Sequence, residues 1–141
     1  MSFKERFIHA IMFEIMLVAI FTFVIQYITN HNVGKAFTLV ISLTSIAVVW
    51  NFIFNWIFDK YATGAREKRT FKTRSIHAIL FEAGLLLPTI PVIAYFLEIG
   101  LVEAFIMDIG FIIFVLVFTV IYNYIYDRVR LLFIATESLN K

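Results

Sequence analysis

The sequence predicts an all-α integral membrane protein of four transmembrane helices, and three observations point there. Of its 141 residues, 62% are hydrophobic and 16% charged, and the mean hydropathy is +0.91. Soluble domains hold about 45–50% apolar and about 25% charged residues. The apolar residues gather into four runs, each near the roughly 20 residues that cross a bilayer. The second half of the chain also repeats the first, with Phe3 aligning on Phe71. Period-two alternation is absent and four spans cannot close a barrel, so helices are the only way to satisfy the backbone in lipid.

The first span runs from about Phe7 to Ile28 and carries Glu14 in its interior. It lacks a small-residue cleavage site and is too long for a signal core, so it reads as a resident helix. A polar turn of Asn30, His31, Asn32 and Gly34 leads to the second span, Ala36 to Phe58. The stretch from Lys60 to Arg74 is the one substantial connection, with Gly64 and a run of charges. The third span, Ser75 to Leu97, passes through the short Glu98–Glu103 join into the fourth, Ala104 to Tyr126. No low-complexity linker interrupts the chain, so it is one membrane domain made of two transmembrane pairs, residues 3–60 and 71–128.

Charge fixes the expected orientation. Lys4, Arg6, Lys60, Arg66, Lys68, Arg69, Lys72, Arg74, Arg128, Arg130 and Lys141 fall at the chain ends or in the central connection, and Lys35 alone on the other side. The positive-inside rule then places both termini and the central loop on the cytoplasmic side.

Residues 3–14, FKERFIHAIMFE, and 71–82, FKTRSIHAILFE, agree at nine of twelve positions. The register persists to Phe54, Asn55, Phe58 and Asp59, which align on Tyr122, Asn123, Tyr126 and Asp127. Each copy holds two spans, so both enter the membrane from the same side and the repeat is parallel.

The polar residues inside these spans are the candidates for function. Glu14 lies eight residues beyond Arg6 and Glu82 eight beyond Arg74, about 12 Å along each helix at 1.5 Å per residue. An ionisable group at that depth costs several kcal/mol unless it is paired, hydrated or protonated, which makes it a functional candidate by default. Thr44, Asn51, Asn55 and Asp59 form one polar stripe, and Asp108, Thr119, Asn123 and Asp127 another. Asn51 falls level with Glu14, and Trp50 beside it offers an aromatic face suited to an organic cation. Asp108 has no acidic counterpart in the second span, where Val40 stands.

A plainer role fits several of these groups. Asn and Thr side chains bind helices together in membranes, so Asn51, Asn55, Asn123 and Thr119 serve either packing or ligand binding. His9 and His77 are expected to pack or gate near the boundary, and Asp59 and Asp127 to pair with Lys60 and Arg128 there. The chain has no cysteine, no His-Glu-x-x-His, no Gly-rich phosphate loop and no serine-nucleophile motif. Enzymatic chemistry, metal centres and cofactors are therefore not expected, and neither is nucleic acid as a partner. A haem clamped between His9 and His77 is the weakest of the alternatives.

Arg6-x-x-His9-Ala10-x-x-Phe13-Glu14 and its echo Arg74-x-x-His77-Ala78-x-x-Phe81-Glu82 begin a larger pattern. It continues through Trp50-Asn51-x-x-Phe54-Asn55-x-x-Phe58-Asp59, Ala104-Phe105-Ile106-x-Asp108-Ile109-Gly110 and Tyr126-Asp127. Together these resemble the proteobacterial antimicrobial compound efflux family of tandem transmembrane pairs, whose prototype is a chlorhexidine efflux protein. The resemblance covers nearly the whole chain. It implies proton-coupled export of cationic biocides such as chlorhexidine and of short diamines such as putrescine and cadaverine. It also implies that Glu14 is the proton-responsive residue. One departure is Ala83-Gly84 where the family often has a glycine pair, which bears on packing around span three and on substrate preference.

These readings converge on exchange at Glu14, with Trp50, Asn51, Asn55, Glu82 and Asp108 as further candidates for the substrate site. Four helices are few for a drug-sized path, so a homodimer is expected. The rival reading is a non-transporting membrane scaffold whose polar stripes bind partner helices.

Overall fold

The computed structural model describes residues 3–62 and 70–139, with side chains described from Lys4 to Leu131 within them. They form four helices: α1 (Phe3–Thr29), α2 (Val33–Tyr61), α3 (Phe71–Leu97) and α4 (Leu101–Leu139). No strand occurs among the described residues. Each helix is long and apolar enough to cross a membrane. The helices outrun the apolar stretches, most of all α4, which continues past Tyr126 to Leu139. Backbone hydrogen bonding does not stop where hydrophobicity does. The expected cytoplasmic charges Arg66, Lys68, Arg69 and Lys141 lie outside the described residues.

Local chemistry marks the helix ends. Asn32 caps α2 by accepting the Lys35 N–H at 2.8 Å, and Thr70 caps α3 by accepting that of Thr73 at 3.3 Å. Glu98 ends α3 in the left-handed region at φ 57°, and the Ile99 N–H reaches back to the Ala94 carbonyl at 3.2 Å. Glu103 Oε2 then accepts the Gly100 N–H at 3.1 Å, half of a capping box that starts α4. These tight turns leave two antiparallel hairpins, α1–α2 and α3–α4.

The packed core sits toward the two hairpin turns. Its buried residues are Leu17, Phe21 and Ile25 of α1, Ala36, Leu39, Val40 and Leu43 of α2, Ile93 and Leu97 of α3, and Ala104 and Phe111 of α4. At the end carrying the chain termini, Tyr122 is the one large side chain buried among the described residues. Many large apolar side chains face outward along every helix, including Phe23, Phe52, Ile79 and Val120. In water that surface would be untenable; in lipid it is the solvent-facing side.

The repeat is visible in the packing. His77 of α3 lies edge-on to Phe54 and Phe58 of α2, and the matching His9 of α1 lies against Tyr122 and Tyr126 of α4. The two seams are unequal, however. α2 and α3 approach closely, whereas α1 and α4 stand further apart and fill the gap with the stacked rings of Phe21, Phe114 and Phe118 and the tilted ring of Phe13. Gly84 explains the difference. A Cβ there would overlap Trp50 Cζ2 and lie 2.8 Å from Cη2, so its absence admits the indole. The Trp50 Nε1–H donates to the Phe81 carbonyl at 3.0 Å. In the α1–α4 seam Met16 stands where Gly84 does, and Phe118 where Trp50 does.

Candidate functional site

Between the tight core and the end bearing the termini, all four helices diverge around a cavity of about 330 Å³. α1 contributes Glu14, Leu17 and Phe21; α2 contributes Leu43, Thr44, Ala47, Val48 and Asn51. Phe81, Glu82, Leu85 and Thr89 of α3 and Asp108, Phe111, Ile112, Val115 and Leu116 of α4 complete the wall. Three carboxyl side chains thus meet in one largely apolar chamber. No Lys, Arg or His lines it among the described residues. Such a chamber suits a cation with an apolar body, and an acid there is neutralised either by that cation or by a proton.

The three acids are not equivalent. Glu14 is exposed at the cavity and Glu82 is half-buried, with an Oε2 that has no hydrogen-bond partner among the described residues. Asp108 is buried, at 5% exposure, and its carboxylate is bonded to the equally buried hydroxyl of Thr89. Glu82 and Asp108 both line the cavity from the α3–α4 hairpin.

A chain of polar groups leads away from the chamber. The His77 Nε2–H donates to Asn55 Oδ1 at 3.0 Å, and the Asn55 amide in turn donates to the Asn51 carbonyl at 2.8 Å and to its side-chain oxygen. Asn51 is therefore held from behind while it faces the cavity with Glu14. Asn55 and His77 support the wall without lining it.

Trp50 also stands outside the wall. Its bond to Phe81 and its seat on Gly84 commit the indole to the α2–α3 seam, so the aromatic faces at the cavity are Phe21, Phe81 and Phe111. Ala83, where the sequence departs from the glycine pair, is exposed, and the glycine that packing requires is present at 84. In the fourth helix Thr119 bonds to its own Val115 carbonyl, and Asn123 and Asp127 are exposed away from the chamber. At the boundary, Lys60 lies 3.5 Å from the centroid of Trp56, Arg128 lies 5.3 Å from that of Tyr124, and Arg130 reaches Glu5 at 3.5 Å. His9 lies in the α1–α4 seam, where the Tyr122 hydroxyl donates to its carbonyl at 3.0 Å. Among the described residues no group of acids and histidines is arranged to hold a metal ion.

Thr89 was not among the residues singled out from the sequence. Hairpin arithmetic carries the signal: Asp108 lies nine residues after Ile99 and Thr89 ten before it, so the two fall at one depth on antiparallel helices.

Comparison with known proteins adds a second line of support. The family model described as chlorhexidine efflux transporter matches the chain twice, over residues 1–63 and 69–132, which coincide with the two repeats. A short-chain diamines transporter of Acinetobacter baumannii is 39% identical over 127 residues, covering 90% of this chain and 88% of that protein. One from Vibrio parahaemolyticus is 38% identical over 130 residues, covering 92% and 93%. Another from Acinetobacter baylyi is 37% identical over 127 residues, covering 90% of each. No solved structure matches the chain.

Proposed function

Because this chain belongs to the chlorhexidine efflux transporter family, whose function is transport and not enzymatic catalysis, we propose that it exports organic cations in exchange for protons. Its substrates are short-chain diamines and chlorhexidine-like cations, and Glu14 is the acid where cation and proton compete. The observation that carries this reading is the apolar chamber lined by Glu14, Glu82 and Asp108, with no Lys, Arg or His among the described residues of its wall. Of the three acids Glu14 is the most exposed, so it is the one that substrate and protons reach most directly.

The cycle follows from charge. An ionised Glu14 attracts the cation, while Phe21, Phe81 and Phe111 shelter its apolar body. Protonation of Glu14 removes the attraction and releases the cation to the other side. Each proton that enters down a tenfold concentration gradient releases about 1.4 kcal/mol, enough to bias the exchange. The cavity lies toward the end that bears the termini, which the charge asymmetry assigns to the cytoplasm of the inner membrane. The packed core on the far side then acts as the closed outer barrier. Pairing of two copies would shield the chamber further from lipid, in keeping with a homodimer.

The test is transport by Glu14→Gln, which keeps the size and hydrogen bonding of the side chain without its titratable charge. In proteoliposomes with an imposed pH gradient, cadaverine-driven proton flux should fall at least tenfold while the far-ultraviolet circular dichroism stays helical. Full flux in the mutant would remove Glu14 from the mechanism. A scaffold would give no flux in wild type either.

A further inference from the structure

The Thr89–Asp108 pair poses a question of proton counting. Thr89 Oγ1 lies 2.9 Å from the Leu85 carbonyl and also contacts Asp108 Oδ2. A hydroxyl has one hydrogen and cannot donate fully to both. Elsewhere in these helices, Thr22, Thr29, Thr38 and Thr119 spend that hydrogen on the carbonyl four residues back. If Thr89 does the same, the hydrogen between it and Asp108 belongs to the aspartic acid. If Asp108 is ionised, Thr89 turns its hydrogen toward the carboxylate, and Leu85 keeps the Thr89 backbone N–H as its helical partner. Both protonation states are thus hydrogen-bonded, and passing between them requires only rotation of one hydroxyl.

Packing alone does not call for the pair. At the matching positions of the first repeat, Phe21 replaces Thr89 and Val40 replaces Asp108, and both are buried. An apolar pair therefore fills the same place in the same fold. A buried acid that faces a cavity with no basic side chain in its described wall has a proton or a substrate as its counter-charge.

Building on the export reading above, we infer that Asp108 is a second proton-exchanging acid, with Thr89 as its hydroxyl switch. One diamine dication then displaces two protons, one from Glu14 and one from Asp108. The chamber gains two positive charges and loses two, so the exchange is electroneutral. Glu14 of α1 and Glu82 of α3 are the other titratable groups lining the chamber, and α2 presents only uncharged Thr44 and Asn51 there. Glu82 keeps its proton in this scheme, because ionising it beside an ionised Asp108 places two like charges together.

The experiment counts protons released per cadaverine bound by the purified full-length chain in weakly buffered detergent, with a pH dye, at the pH where wild-type release is greatest. Wild type should release two. Asp108→Asn should release one and turn transport from potential-independent to electrogenic, so that an inside-negative potential opposes export, whereas Glu82→Gln should still release two. Thr89→Val should delay the second proton to higher pH, because the ionised acid loses its donor, and Thr89→Ser should restore it. Should Asp108→Asn fail to fold, the Thr89 pair decides the matter. Two protons from Asp108→Asn, an unshifted profile in Thr89→Val, or a drop to one in Glu82→Gln would each overturn the second site while leaving export intact. Absence of cadaverine binding by wild type would instead overturn the export reading, and this inference with it.

Discussion

Replacement of Gly84 by alanine sets two effects of opposite sign against each other. In an open helical position, glycine to alanine favours the helix by about 1 kcal/mol. At Gly84 the new methyl would overlap Trp50 Cζ2 and lie 2.8 and 3.2 Å from two further indole carbons. The ring is rigid and cannot yield at its tip, so it must rotate or the two helices must part. Overpacking of this kind costs about 1–3 kcal/mol. Rotation also breaks the Trp50–Phe81 hydrogen bond, a further loss of about 0.5–1.5 kcal/mol. The penalties exceed the helical gain, so Gly84→Ala should destabilise the bundle by roughly 1–3 kcal/mol. Gly110 supplies the control, because nothing lies within 4 Å of a Cβ there and Gly110→Ala should be neutral or slightly stabilising. Thermal unfolding in detergent, followed by circular dichroism, measures both. A second change, Trp50→Phe, should relieve the clash, so the double mutant should be more stable than the two single losses summed. Equal stability of Gly84→Ala and Gly110→Ala would refute the close seam.

Two more expectations concern the turn end and the orientation. Lys35 Nζ lies 2.5 Å from Glu98 Oε1, and that bonded ammonium holds the exposed Glu98 carboxyl below the usual carboxylate range. A lowered folded-state value means that the pair's contribution is present near neutrality and disappears as pH falls through that value. Lys35→Gln should thus lower the melting temperature slightly at neutral pH, less in high salt and not at all in strong acid; a loss independent of both would exclude the ion pair as its source. The chain lacks cysteine, so single cysteines at His31 and Tyr61 can report sidedness with an impermeant maleimide in intact cells. His31→Cys should label and Tyr61→Cys should not until the membrane is opened, and the reverse pattern would invert the proposed topology.

The four helices were legible because lipid imposes a length and a composition on every span, and both are written plainly in the chain. The polar residues were harder to place. Spacing along one helix put Thr44 and Asn51 on a shared stripe, and both do reach the chamber. Asn55 lies on the same stripe, yet a neighbouring helix turns it toward His77. Trp50 reads as a cation face from its position beside Asn51, and only the missing side chain of Gly84 on a different helix draws it into the seam. Thr89 was missed because threonine in a membrane helix usually satisfies itself on its own backbone. Its significance lies in a partner nineteen residues away across a turn.

Duplication explains why the chamber has acids on both sides, and the departures from duplication explain why it is not symmetric. A faithful repeat would give Glu14 and Glu82 the same surroundings, and two identical acids would compete for one cation. Instead, Gly84 in place of Met16 lets α3 close on α2, and Glu82 lies half-buried in that half of the chamber. The α1–α4 seam, kept apart by stacked rings, leaves Glu14 exposed. Thr89 and Asp108 then add, within the α3–α4 hairpin, a polar pair that the α1–α2 hairpin replaces with Phe21 and Val40. The chamber therefore has an accessible acid at one wall and a sheltered, hydroxyl-held acid at another. Under the proposed two-site exchange, a ligand with two separated positive charges would engage both, and a monocation of equal size only one. On this argument Asp108→Asn should weaken cadaverine binding far more than binding of a matched monoamine, measured by competition in detergent. An equal loss for both ligands would assign Asp108 to helix packing alone.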